Sequence, residues 1–176
     1  MRIHLSATYI VVLLFIGFSM ATCSKSNDQR EFEREANSQP DKITETDDQG
    51  NIISTDSDDW RISPMYRGLV VVGTPDEQPP YPNPLSYNQD LKINLYIRNI
   101  ETLNQIEVFI FENVNERPNG PYSPINDISS PTLETINLSG QIISGSTGGS
   151  QASGLYRILI YDGQQNVITY GDIRIE

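Results

Sequence analysis

Residues Leu91, Ile93, Leu95 and Ile97 alternate without a break with Lys92, Asn94, Tyr96 and Arg98. A side-chain period of two marks a strand with one face buried and one in water, and a helix cannot gather those four apolar groups on one side. Other short apolar runs follow the same grammar: Gly68 to Gly73 (GLVVVG), Ile106 to Glu112 (IEVFIFE), Leu133 to Ser139 (LETINLS), Leu155 to Tyr161 (LYRILIY) and Asn166 to Ile175 (NVITYGDIRI). Pro and Gly clusters break the chain between them, and no helical period is sustained after Trp60. Ile142 with Ile143, or the stretch Arg61 to Tyr66, offers one strand more. Short strands joined by turn chemistry predict an all-β domain over 60–176, a single antiparallel β-sandwich of about seven strands.

The most diagnostic piece is the C-terminal hairpin, where Asp162-Gly163-Gln164-Gln165 breaks two strongly apolar runs. Tyr156 stands early in the first run with Ile158 two positions later. This resembles the tyrosine corner of the immunoglobulin-like fold, with Ile158 at the place of the second core cysteine. The resemblance implies that the first cysteine's place falls among Ile93, Leu95 and Ile97, and the buried Trp's among Phe109 and Phe111. The chain has one cysteine, so no core disulfide is possible and the likeness is to disulfide-free bacterial sandwiches. In the last run Ile168 and Tyr170 share one parity while Ile173 and Ile175 share the other, with Gly171 between, which predicts a β-bulge at Gly171.

The N-terminus has a different grammar. Arg2 and His4 precede the apolar run Tyr9 to Phe18, and small and polar residues follow through Thr22. That layout is a signal peptide, too short to span a bilayer, which takes about 20 apolar residues. Cys23 comes directly after Met20-Ala21-Thr22, so the chain resembles a bacterial lipoprotein precursor with residues 1–22 as leader and Cys23 as the lipidated residue. Met20 and Thr22 depart from the residues usual at those places. From Ser24 to Asp59 there are 11 acidic and 4 basic residues among 36, with Phe32 the single aromatic. Such a composition predicts a disordered acidic tether over 23–59. The polar stretch Ser24 to Glu33 resembles the segment behind the lipidated cysteine in surface lipoproteins of Bacteroidota, which implies an outer-membrane location, on the cell surface or the periplasmic face. The acidic pairs at Asp47-Asp48 and Asp56 to Asp59 lack the alternating ligands of a calcium loop and read as solvated charge.

A formal charge of -11 excludes nucleic acid as a natural partner. Behind the leader the chain has no His, which removes Ser-His-Asp and Cys-His catalysis and ordinary zinc sites. There is no phosphate-binding glycine motif either, and Lys92 is the only lysine after Trp60. Paired carboxylates among Glu107, Glu112, Glu116, Asp127 and Glu134 leave a small hydrolase formally open. No catalytic residue, metal or cofactor is expected. Two proline-rich loops, Thr74 to Asn88 and Asn113 to Thr132, carry Tyr81, Tyr87 and Tyr122. Those three and Trp60 are the candidate ligand-binding residues. They either form an exposed platform for polysaccharide or a protein partner, or fold back over the sandwich edges. The expectation is a non-catalytic envelope lipoprotein, anchored to the membrane at Cys23, that binds glycan or serves as a structural or adhesion subunit with another envelope protein.

Overall fold

The computed structural model describes residues 25–73, 78–98, 103, 105–126, 128 and 131–176. Cys23 and the leader lie outside the described residues. Seven strands build two antiparallel sheets. One has the order β3 (Val70–Val72), β4 (Asp90–Ile97), β7 (Thr132–Ser139); the other has β6 (Asn119–Asn126), β5 (Gln105–Phe111), β8 (Gly154–Asp162), β9 (Val167–Ile175). Their inner faces share one core. Leu91, Ile93, Leu95 and Ile97 of β4, with Ile136 and Leu138 of β7, face Ile106, Val108 and Ile110 of β5 and Tyr156, Ile158 and Ile160 of β8. The alternation therefore sorts as the sequence predicts, and each such side chain contributes roughly 1.5–3 kcal/mol by leaving water.

At the start of β8 the Tyr156 hydroxyl donates to the Ala152 carbonyl at 2.9 Å, which satisfies a buried polar group. Ile158 is fully buried beside it.

Four expectations need correction. The β8–β9 ladder keeps one register from Gly154↔Ile175 to Ile160↔Thr169 and then shifts to Tyr161↔Val167, so the extra residue is Ile168 and not Gly171. That bulge turns Ile168 into the main core. Phe109 and Phe111 pair with Leu159 and Arg157 on the outer face, so the core position expected of them is filled by aliphatic residues. Asn119–Asn126, read from its prolines as loop, is the edge strand β6, the place in a sheet where proline is tolerated. Ile142 and Ile143 lie in a short helix, Gly140–Ser144, started by the Ser139 hydroxyl and ended by Gly145 in the left-handed region at φ 62°.

The largest correction concerns residues 25–59, which form an ordered strap instead of a tether. A helix, Asn27–Ala36, is capped by Ser26 and buries Gln29, Phe32 and Ala36 at i, i+3 and i+7. Phe32 and Ala36 complete a second apolar cluster with Phe111, Leu159, Val167 and Tyr170 on the outer face of the four-stranded sheet. The chain then runs through the small hairpin β1 (Glu45–Thr46) and β2 (Ile52–Ser54), whose turn is closed by Asp47 accepting from the backbone of Gln49 and Asn51. Composition misled because ten residues with two buried apolar side chains do not hold a helix in water; packing and specific polar contacts hold this one.

Candidate functional site

The densest gathering of charge lies where the strap crosses β8 and β9. Arg157 and Asp172 sit opposite each other in the ladder, and their side chains are 5% and 3% exposed. Arg157 Nε donates to Asp172 Oδ1 at 2.6 Å and Nη2 donates to Oδ2 at 2.8 Å, a bidentate pair. Its remaining nitrogen, Nη1, reaches the strap, donating to the Glu35 carbonyl at 2.6 Å and to the Ser38 carbonyl and hydroxyl at 3.0 and 2.9 Å. The guanidinium also stands over the Tyr170 ring, 4.9 Å from its centroid.

Asp59, at the far end of the strap, takes the other side of β9. Its Oδ1 accepts from the Asp172 backbone N–H and its Oδ2 from that of Thr44, both at 2.8 Å. Gly171 permits this approach: a Cβ there would overlap the Trp60 indole and crowd Asp59 Oδ1. Asn83, fully buried, ties the same region together by donating to the carbonyls of Thr44 and Asp172 and accepting from Arg174 N–H. A crevice of about 160 Å³ opens between these groups.

Burial pushes the Asp59 carboxyl up to about 7, helped by the neighbouring Asp172 charge and opposed by the two backbone donors. Burial also raises Asp172, against the pull of Arg157. For Arg157 burial acts downward, yet the Asp172 partner leaves the guanidinium more basic than usual. The arrangement is closed. Every nitrogen of Arg157 donates to the protein, and both oxygens of Asp59 and of Asp172 accept from it. Such a cluster fastens the strap to β8 and β9.

The aromatic candidates are dispersed. Trp60 is 7% exposed, with its backbone N–H on the Tyr170 carbonyl and an indole Nε1 that has no partner among the described residues, so it is a wedge against β9 and not a platform. Tyr81 pairs by backbone with Lys92 and lays its ring over Gly50. Tyr87 donates from its hydroxyl to the Ser146 carbonyl, and Tyr122 sits opposite Val108 on β6; both are half-buried against the core. These four side chains occupy four different settings. Beside the helix a second groove of about 520 Å³ is lined by Asp28, Glu31, Phe32, Glu35, Arg61 and Arg67 among others, with Arg61 engaged by Glu35, Asp58 and the Tyr170 hydroxyl. Among the described residues no group of three or more His, Cys, Asp or Glu side chains is arranged to hold a metal ion, and no helix is long and apolar enough to cross a membrane.

Sequence reasoning missed Arg157, Asp172, Asp59 and Asn83. One signal was present: Arg157 and Asp172 are opposite charges inside two apolar runs, at positions that a hairpin turning at 162–166 brings face to face.

No family model matches the chain, and no curated protein matches it. Among solved structures, the superoxide reductase (neelaredoxin) from Ignicoccus hospitalis aligns with 13% identity over 54% of this chain and 76% of its own, at a TM-score of 0.32. A variant of that protein aligns with 11% identity over 64% of this chain and 85% of its own, at 0.38. Likeness at these scores carries no argument about activity.

Proposed function

We propose that the chain is a lipid-anchored envelope protein whose immunoglobulin-like sandwich works without catalysis, as a binding or structural part held at the outer membrane through Cys23. The scaffold reading is supported by the division into three and four strands in the orders given above and by the Tyr156 corner. The observation that carries the non-catalytic reading is the closed charge cluster. A catalytic arginine or carboxylate is aimed at where charge develops, whereas Arg157, Asp172 and Asp59 are aimed at one another's strands and at the strap. The dispersal of Trp60, Tyr81, Tyr87 and Tyr122 counts against a stacked sugar platform and in favour of a protein partner. Ile52 and Ile53, 53% and 67% exposed on β2, give that partner an apolar foothold.

Two experiments on bacterial cells expressing the full chain test the two halves of this reading. A clickable palmitate is expected to label the wild type and not Cys23→Ala, and an unlabelled wild type refutes the anchor. A photo-crosslinker at position 53 is expected to trap one defined protein neighbour, and recovery of monomer alone refutes the partner.

A further inference from the structure

The two sheets of the sandwich have four edge strands, β3, β7, β6 and β9, and three of them are guarded. β9 is covered along its length: Trp60, Ser63 and Leu85 donate by backbone to Tyr170, Ile168 and Arg174, and the Asp59 carboxylate takes the Asp172 N–H. β6 carries Pro121 and Pro124 and twice shifts register against β5. β3 is three residues long, and beyond it Tyr81 bonds Lys92 of β4 in both directions. Prolines, irregular register, short strands and covering segments are devices by which sheet edges avoid pairing with other chains. Among the described residues β7 has none of these. Its eight residues pair with β4 in one unbroken register and contain no proline, lysine or arginine.

The hydrogen bonds of β4 show which groups of β7 face outward. Lys92 donates to and accepts from Tyr81, the Asn94 carbonyl accepts from Gly73, and the Arg98 N–H goes to the Leu69 carbonyl, all on the side away from β7. These directions alternate along an antiparallel strand, so Leu91, Ile93, Leu95 and Ile97 bond Leu138, Ile136, Glu134 and Thr132. Leu133, Thr135, Asn137 and Ser139 therefore aim their N–H and C=O groups out of the sheet edge, where no described backbone group meets them.

We infer that β7 is the pairing edge of a symmetric dimer, in which β7 of a second copy runs antiparallel to it and joins the two three-stranded sheets into one. Three observations select a second copy as the occupant. The first is register. Pairing must match inward residues with inward ones, and a two-fold axis at Asn137 does so: Ile136 meets the copy's Leu138 and Leu138 the copy's Ile136, extending both cores. Thr135 then meets Ser139 on the outer face. Glu134, the one charged residue of β7 and on its inward side, falls opposite Gly140, which has no side chain to oppose it. The second is the placing of exposed apolar groups. Leu133 lies near one end of β7 and Ile142 just past the other, both exposed. Antiparallel self-pairing brings one toward the other, and symmetry repeats the contact. The third is charge: at -11 the chain repels its own copies, yet Leu133 to Ser139 carry a single charged side chain. The dimer stands on this edge and rests neither on Cys23 nor on the foothold at Ile53.

Sedimentation equilibrium of the full chain, reduced and in a density-matched nonionic detergent, tests the dimer. The mass is expected to rise from one copy toward two with protein concentration, and monomer alone up to about 1 mM overturns the inference. Asn137→Pro removes an N–H that bonds nothing within the described chain, and with it the two hydrogen bonds at the axis, one from each copy. It is expected to keep the wild-type urea midpoint at low concentration and to weaken association about tenfold or more. Should that variant fail to fold, Leu133→Lys, at an exposed position, takes its place and is expected to weaken association likewise. Association that a folded variant leaves unchanged overturns the assignment to β7. Amide hydrogen exchange gives a second readout: peptides covering 132–139 are expected to gain protection as concentration rises while those covering β3 and β6 do not, and the reverse overturns the inference. A missing palmitate label at Cys23 leaves these results untouched, so the anchor and the dimer fail separately.

Discussion

Replacing Arg157 by Met keeps most of the aliphatic stem that packs on the sheet and removes the guanidinium. The Asp172 carboxylate, the Glu35 carbonyl and the two Ser38 oxygens then lose the donors that Arg157 supplies. Asp172 keeps only the Asp41 backbone donor in a site where its side chain is 3% exposed. Breaking a buried ion pair by removing one member costs about 3–5 kcal/mol, because the remaining charge is left uncompensated. Against a typical domain stability of about 5–15 kcal/mol that is a large fraction. Urea unfolding of Arg157→Met, followed by circular dichroism and by the fluorescence of Trp60, the chain's single tryptophan and the wedge between strap and β9, measures the loss. The strap signal is expected to move to lower urea ahead of the sheet signal.

A control separates charge from packing. Asp172→Leu combined with Arg157→Met replaces the pair by apolar side chains, and an apolar pair of similar volume is often as stable as the ion pair or more so. The double variant is expected to be more stable than Arg157→Met alone. A loss below about 1 kcal/mol in the single variant, or a double variant whose loss equals the sum of the two singles, would refute the reasoning.

The remaining expectations concern neighbouring parts of the same structure. Gly171→Ala drives a methyl into the buried Trp60 ring, and overpacking of this kind costs about 1–3 kcal/mol; a urea midpoint equal to wild type would place the indole elsewhere. Tyr156→Phe leaves the Ala152 carbonyl without its donor and is expected to cost about 0.5–1.5 kcal/mol in urea unfolding, with the strap untouched by exchange. Because the folded Asp59 lies above its ordinary value, the native state binds the extra proton, so its contribution is whole below about pH 4 and is lost as pH rises through 7. Asp162 runs the other way: burial alone would raise it, but hydrogen bonds from Asn166, Tyr66 and the turn backbone hold it low, so its contribution is lost on acidification. Urea midpoints across the pH range are therefore expected to peak on the acid side of neutral and decline toward alkaline pH, and a midpoint that climbs steadily to pH 9 would contradict the Asp59 assignment.

Much of the sandwich was legible because its strands follow a period that physics enforces. A half-buried strand must alternate, so Leu91 to Ile97 disclosed both their element and their buried face, and the hairpin around Asp162 to Gln165 disclosed its turn. The bulge was legible only in kind. The parity change along Asn166 to Ile175 demanded one extra residue, but which residue supplies it depends on the partner register, and β8 settles that at Ile168. Gly171 was read as the bulge and is not; its lack of a side chain answers the indole and carboxylate that press on it from a distant part of the chain.

The strap was illegible for a reason that reaches further. Composition measures whether a segment can bury enough apolar surface to fold by itself, and residues 25–59 fail that test. The sheet face offers Phe111, Leu159, Val167 and Tyr170, and the Arg157 guanidinium held by Asp172; the strap meets them with two apolar side chains and backbone carbonyls, and adds polar contacts such as Gln29 with Ser63 and Thr44 with Asn83. An acidic sequence that reads as disorder alone is thus compatible with a docked strand of chain whenever the receiving surface supplies the order. The same accounting explains why the core does not depend on the strap: the strap's hold is spread over the second apolar cluster and polar contacts from Gln29 to Asp59, while the buried residues of the main core begin at Trp60.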